Sequence, residues 1–253
     1  MDFGYFLNFL LNPPAIVWEG LLVTIYISVL AQALGVVLGL GVALARLSTS
    51  SWLRGFAIFY VWFWRGTPLL VQLMLAYTGV AAAGIYRYPD LVLGPFVFTG
   101  PLQAALLTLA LNEAAYMSEI FRSAISTIDN GQTDAARALG MTPAVSFRWV
   151  IFPQALRIVI PPLGNEFTLM IKGTSLLSII GVREFFGTLQ NINSATFRTF
   201  ELFLYAAIWY LILTTILGFA QKWLERRMAR HEAPAARRLS AALSKRSLLA
   251  GQR

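Results

Sequence analysis

The sequence predicts an all-α, polytopic membrane protein, and three observations carry that prediction. Hydrophobic residues make up 57% of the 253 positions and charged residues only 13%, against about 45–50% and about 25% in soluble domains. The mean hydropathy is +0.65. The apolar residues also gather into charge-free runs long enough to cross a bilayer, which takes roughly 20 residues for about 30 Å of hydrocarbon. Cysteine is absent, which excludes disulfide frameworks, thiolate metal sites and cysteine nucleophiles. The single histidine, His231, stands in an Arg-rich tail, so no metal site is expected.

Five spans follow in order. The first fourteen residues carry no positive charge and the first apolar run is too long for a signal peptide, so a retained helix is expected. That run is uncharged from Gly20 to Ala45 and predicts a span at about 16–45. Within it, Gly35 and Gly39 have the GxxxG spacing that lets helices approach closely. The next run, Gly55 to Tyr86, is interrupted only by Arg65 and predicts a span at about 55–80. A third, charge-free from Leu91 to Asn112 and continuing as helix to about Arg122, predicts a span at about 97–121. Trp149 to Val182 is apolar but punctuated by Pro153, Pro161, Pro162, Gly164 and Gly173, which predicts a discontinuous span at about 150–172. The last span is expected at about 202–224, so residues 1–227 form a transmembrane domain and 228–253 a basic tail. Trp18, Trp52, Trp149 and Trp223 fall near span ends, as interfacial anchors do. No 20–50-residue repeat is visible.

Charge sets the orientation. With five spans the termini lie on opposite faces, and Lys and Arg total fifteen on one side against four on the other. The basic side is cytoplasmic, which puts the N-terminus outside and the tail inside. The tail itself reads as a topological stop signal. Nucleic-acid binding is not expected, because the basic residues follow directly on a span.

Residues 122–153 are therefore cytoplasmic, and they are too patterned for a plain connector. Two short helices are expected. Ile125, Ile128, Ala135, Ala136 and Leu139 mark the first, and Gly140 suits the left-handed position that ends it. Thr142 suits an N-cap and Pro143 the first turn of the second helix, before Pro153 redirects the chain into the membrane. By pattern alone the segment reads first as a surface loop lying on lipid headgroups.

The string GQTDAARALGMTPAVSFRWVIFPQALR, Gly131 to Arg157, resembles the EAA loop of ABC-importer permease subunits, with Asp134-Ala135-Ala136, then Gly140, then Ile151-Phe152-Pro153. Asp134 replaces the usual Glu and Phe152 the usual Leu. RGTPLLVQ (Arg65 to Gln72), AAYMSEIFRSAI (Ala114 to Ile125), PPLGNEF (Pro161 to Phe167) and KGTSLLSIIGV (Lys172 to Val182) extend the likeness to the polar-amino-acid branch over about residues 15–225. The resemblance implies a permease subunit in a bacterial cytoplasmic membrane. Asp134, Ala135, Ala136, Leu139 and Gly140 would dock on a cytoplasmic ABC ATPase dimer. It also implies an external solute-binding protein and a second copy or a sister permease. The chain has no GxxxxGK[ST] phosphate loop, so ATP and Mg are expected on the partner ATPase, with no cofactor in this chain and no catalytic residue.

Ionisable side chains within a span cost at least about 2.5–3.5 kcal/mol on insertion scales, so each needs a reason. Counted at 1.5 Å per residue from the nearest basic boundary residue, Arg65 lies roughly 16 Å deep and Glu113 and Glu166 roughly 13 Å deep. An amino acid carries both charges: Arg65 would grip its carboxylate while Glu166 or Glu113 meets its ammonium. The alternative is an internal salt bridge that touches no substrate. Lys172, Thr174 and Ser175, at the expected break of the fourth span, are candidate cavity or gate residues. Glu119 and Arg122, three apart on a helix, read as a structural pair.

Two rival functions remain at this level. An ATP-independent secondary transporter or channel would use the same midplane charges but has no need of a docking loop. A membrane-embedded hydrolase needs a base beside a nucleophile or metal, for which the sequence offers little. The topology has a direct test in a chain without cysteine. A cysteine at Ser50 is expected to be shielded from an impermeant thiol reagent in intact cells, and one at Tyr88 to be labelled; the reverse pattern would overturn the orientation.

Overall fold

A computed structural model describes residues 2–94 and 96–229. The tail residues Arg230, His231, Arg237, Arg238, Lys245 and Arg246 lie outside the described residues. The chain runs as α1 (Phe3–Leu11), α2 (Ala15–Arg46), α3 (Ser51–Gly66), α4 (Leu69–Met74) and α5 (Val80–Ala82). A hairpin of β1 (Leu91–Leu93) and β2 (Phe96–Phe98) follows. Then come α6 (Gly100–Thr127), α7 (Asn130–Ala138), α8 (Pro143–Ser146), α9 (Phe152–Gly173), α10 (Phe185–Thr196) and α11 (Thr199–Ala229). The all-α class expected from composition is what the structure has, apart from the hairpin.

Among the described residues, three helical stretches are long and apolar enough to cross a membrane: Ala15–Arg46, Pro143–Ile180 and Thr199–Arg227. A bent pair, Ser51–Gly66 with Leu69–Ala82, qualifies as a fourth. Helix α6 has the length, 28 residues, but is more polar. It is the central helix and packs on α2 along a face of Leu102, Ala105, Leu109, Ala114 and Met117, all buried. A helix wrapped in protein needs less apolar surface than one facing lipid.

Small residues set the α2–α6 contact. A Cβ added at Gly39 would lie 2.6 Å from Met117 Cβ and 2.9 Å from the Ala114 carbonyl; one at Gly35 would lie 2.5 Å from Glu113 Cγ. In lipid, helix association rests on such close packing and not on a hydrophobic driving force. The GxxxG pair is thus the seam on which α6 is mounted. The lipid side is rough and apolar by contrast: on α3, Trp52, Phe56, Phe59 and Trp62 are all exposed.

Several expectations need correction. The fourth span is not discontinuous at its prolines, because α9 runs unbroken through Pro161 and Pro162. The Gln221 side chain on α11 donates to the Pro161 carbonyl at 3.0 Å, so a neighbouring helix helps satisfy the backbone there, as membrane helices allow. Pro153 does not redirect the chain; it sits in the first turn of α9, and α8 continues into α9 through a π turn at Phe147–Ile151. The second of the two expected short helices is therefore the root of a long one. The helix after the 83–90 loop and the hairpin begins at Gly100, with Pro101 in its first turn. In the hairpin Leu91–Leu93 pairs with Phe96–Phe98, with Val92 opposite Val97. Helices α1 and α10 had no counterpart in the sequence reading.

Helix α1 is tied down by ion pairing outside the apolar layer. The Asp2 side chain accepts from the Tyr5 N–H at 2.9 Å and pairs with Arg198 at 3.1 Å. The Tyr5 N–H, with Arg198 beside it, holds the Asp2 carboxyl below the usual range.

The glycine seam has a paired test. Gly39→Leu is expected to lower the melting temperature of the detergent-purified protein, since overpacking costs about 1–3 kcal/mol. Gly41, which has nothing within 4 Å of an added Cβ, should tolerate leucine without change. Equal melting of the two variants would remove the seam.

Candidate functional site

The second span breaks where the sequence places Gly66-Thr67-Pro68. Helix α3 ends at Gly66, and the helix resuming at Leu69 is turned by 103°. Proline removes an N–H and disfavours helix in the residue before it, so the last carbonyls of α3 lose their intrahelical partners. Two amides replace them. Gln72 Nε2 donates to the Trp64 carbonyl at 2.8 Å and to Thr67 Oγ1 at 2.7 Å. Asn112 Nδ2, from α6, donates to Gln72 Oε1 at 2.8 Å. The break is thereby fixed against α6, and it opens a cavity.

That cavity has a volume of about 510 Å³ and is walled by α3, α6 and α9, with the Gly66–Leu69 corner as its rim. Arg65, Glu113 and Glu166 all line it, with Asn112, Tyr116 and Gly173 between them. The volume falls within the roughly 300–1,000 Å³ range of small-molecule sites. Glu113 is buried and accepts from Gln32 Nε2 at 2.9 Å. The Arg65 guanidinium lies 5.3 Å over the Tyr116 ring. A cation and two carboxyl groups facing one space can meet both ends of a zwitterion.

Arg65 does make an internal salt bridge of the kind the alternative supposed. Arg65 pairs with Glu119 at 3.6 Å, not with Glu113 or Glu166. Glu119 also pairs with Arg122 at 3.0 Å, the expected pair, and with Arg46 from the end of α2. One carboxylate thus gathers guanidinium groups from α2, α3 and α6. With three cations competing for it, Arg65 keeps its 43% exposed side chain on the cavity.

Lys172, Thr174 and Ser175 do not line this cavity. Helix α9 ends at Gly173 and tightens into a 3₁₀ segment, Thr174–Ile180. Thr174 is buried there and donates to the Ile171 carbonyl at 2.7 Å, and Ser175 donates to the Lys172 carbonyl at 2.8 Å. Lys172 is exposed.

The 122–153 segment forms the caps expected at Gly140 and Thr142: Thr142 Oγ1 accepts from the Val145 N–H at 3.4 Å, and Gly140 has φ +75°, a backbone that favours glycine. Asp129, which the sequence did not single out, caps α7. Ala136 is buried, and Asp134 pairs with Arg137 at 3.7 Å. Leu139 is 78% exposed and Trp149 67%, so the segment leaves large apolar side chains uncovered by the rest of the chain.

Glu184 escaped the sequence reading. It is fully buried, caps α10 through the Gly187 N–H, and accepts from Thr24 Oγ1 at 3.1 Å. Its signal was a lone acid before the apolar pair Phe185-Phe186. Gln72 and Asn112 were equally missed, although Gln72 closes one of the motifs. Among the described residues no cluster of three His, Asp or Glu side chains is placed to hold a metal ion.

Known proteins share this architecture and sequence. The glutamine transport system permease protein GlnP of Escherichia coli (strain K12) is 39% identical over 211 residues, covering 83% of this chain and 91% of that protein. The octopine transport system permease protein OccM of Rhizobium radiobacter is 38% identical over 215 residues, 81% and 85% of the two chains. The arginine transport system permease protein ArgU of Corynebacterium glutamicum is 39% identical over 208 residues; the match takes in 80% of this chain and 65% of that protein's length. A crystal structure of an amino acid ABC transporter with histidines superposes with a TM-score of 0.74 at 37% identity, over 84% of this chain and 94% of that one. The MetNI methionine ABC transporter in an inward-facing conformation, at 19% identity and a TM-score of 0.66, shares the fold. Residues 35–230 match the family described as binding-protein-dependent transport system inner membrane component, and the chain belongs to that family, as a transport subunit and not an enzyme.

Proposed function

We propose that this chain is the permease subunit of an ATP-driven ABC importer that carries polar amino acids or close derivatives across a bacterial cytoplasmic membrane by alternating access. The observation that carries the reading is the cavity in which Arg65, Glu113 and Glu166 face one another. Arg65 holds the substrate carboxylate with its planar donor fork, and Glu166 with Glu113 meets the ammonium. The relatives named for glutamine, arginine and octopine transport support this substrate class. Lys172, Thr174 and Ser175 belong to the wall behind Gly173 and act on the cavity through the α9 end.

The chain spans the membrane five times, N-terminus outside, with α6 as the central span. A cytoplasmic ABC ATPase dimer binds ATP and Mg and docks on Asp134, Ala135, Ala136, Leu139 and Gly140. The exposed Leu139 and Trp149 supply the apolar contact. A solute-binding protein delivers substrate outside, and a second copy or a sister permease completes the pathway. An ATP-independent carrier leaves the apolar docking face without a use.

The test separates transport from assembly. In importer complexes that assemble and hydrolyse ATP, Arg65→Ala and Glu166→Gln are each expected to lower amino acid uptake by at least about tenfold, the equivalent of 1.4 kcal/mol. Gly140→Glu is expected to abolish uptake by weakening ATPase co-purification. Normal uptake in both cavity variants would overturn the substrate site; normal uptake in Gly140→Glu would overturn the docking assignment.

A further inference from the structure

A second concavity lies on another face of α9 from the charged cavity. It is an open groove of about 710 Å³ between α2, α9 and α11, walled by Val29, Ala33 and Val36, by Leu163 and Phe167, and by Leu217. Two glutamines border it, yet both turn their amide donors away. Gln32 Nε2 reaches Glu113 at 2.9 Å, and Gln221 Nε2 reaches the Pro161 carbonyl and Glu225 Oε1, each at 3.0 Å. What remains is an almost wholly apolar trough.

The groove does not end in apolar surface. Trp223 lines it and also lines an adjoining concavity made by Phe219, Lys222, Arg226 and Arg227. Lys222 and Arg226 are four apart on α11, and so are Trp223 and Arg227, so each pair shares a helix face. The Arg227 guanidinium lies 5.5 Å over the Trp223 ring. One carboxylate, Glu225, is near, and it is engaged with Gln221. An apolar trough thus runs into three cations with a tryptophan at the junction, on the side where basic residues concentrate.

We infer that this groove binds an anionic phospholipid of the cytoplasmic leaflet, its acyl chain along α2, α9 and α11 and its phosphate on Lys222, Arg226 and Arg227. Basic pockets at the cytoplasmic ends of membrane helices favour anionic headgroups, and tryptophan favours the headgroup boundary. A lipid held there packs against Gly164 and Phe167, on a different face of α9 from Glu166. It therefore braces the wall of the charged cavity without entering it.

The experiment uses the full-length importer complex, reconstituted in vesicles of equal phosphatidylglycerol and phosphatidylcholine, extracted gently, and read by native mass spectrometry for retained lipid. The wild type is expected to retain phosphatidylglycerol over phosphatidylcholine by at least about tenfold. Replacing Lys222, Arg226 and Arg227 together by glutamine removes the preference. Ala33→Trp, which fills the trough, lowers retention of both lipids. Equal retention of the two lipids by the wild type, or wild-type retention by both variants, overturns the proposal. So does an intersubunit disulfide formed in membranes by Ala33→Cys with Leu217→Cys, which would mean that protein covers the groove. The wild-type preference stands as a test even if a variant fails to assemble.

Discussion

A single carboxylate, Glu119, accepts guanidinium groups from three helices, and the charged interior depends on that convergence. Arg46 closes α2, Arg65 ends α3, and Arg122 sits one turn beyond Glu119 on α6. Charge placed among apolar helices is costly unless paired, and here one acid partly neutralises three bases. The surplus positive charge has to remain accessible to water or to a counter-ion. Arg122 has a 37% exposed side chain, so water supplies that compensation. Arg65 faces the cavity, so its unmet charge is available to a ligand. The cluster therefore ties three helices together and leaves one cation incompletely satisfied at the site.

The remaining geometry follows from two kinds of economy in the backbone. Gly35 and Gly39 let α6 approach α2 closely enough to bury Glu113 beside Gln32. The corner at Thr67 and Pro68 ends α3 beside Arg65, and the amides of Gln72 and Asn112 both donate to the Trp64 carbonyl that the corner frees. Without the close seam, Glu113 would not stand at the cavity wall. Without the amide pair, an open helix end would lie in an apolar layer, where unsatisfied backbone groups are not tolerated.

Much of this was legible in the sequence because it depends on local signals. Charge-free runs marked the long helices, Gly140 and Thr142 announced their caps, and the ionisable residues singled out within the spans, Arg65, Glu113 and Glu166, line one cavity. Where local signals misled, a distant partner had intervened. Pro161 and Pro162 read as a break, but Gln221, sixty residues away, bonds the Pro161 carbonyl and the helix continues. Glu119 read as a partner of Arg122 alone, because Arg46 and Arg65 reach it only after folding. The 91–98 hairpin was hidden in apolar sequence that fits a strand or a helix end equally well. Glu184 was overlooked because its partners, Thr24 and the α10 N-terminus, meet only in three dimensions.

The most direct measurement is a structure of the assembled importer with its amino acid bound. The substrate carboxylate is expected about 3 Å from the Arg65 guanidinium, a charge-assisted bond length, with the ammonium against Glu166 or Glu113 and Glu119 still holding Arg46 and Arg122. An amino acid bound elsewhere in the membrane region, with Arg65 closed onto Glu166 across an empty cavity, would contradict the assignment of this cavity as the transport site.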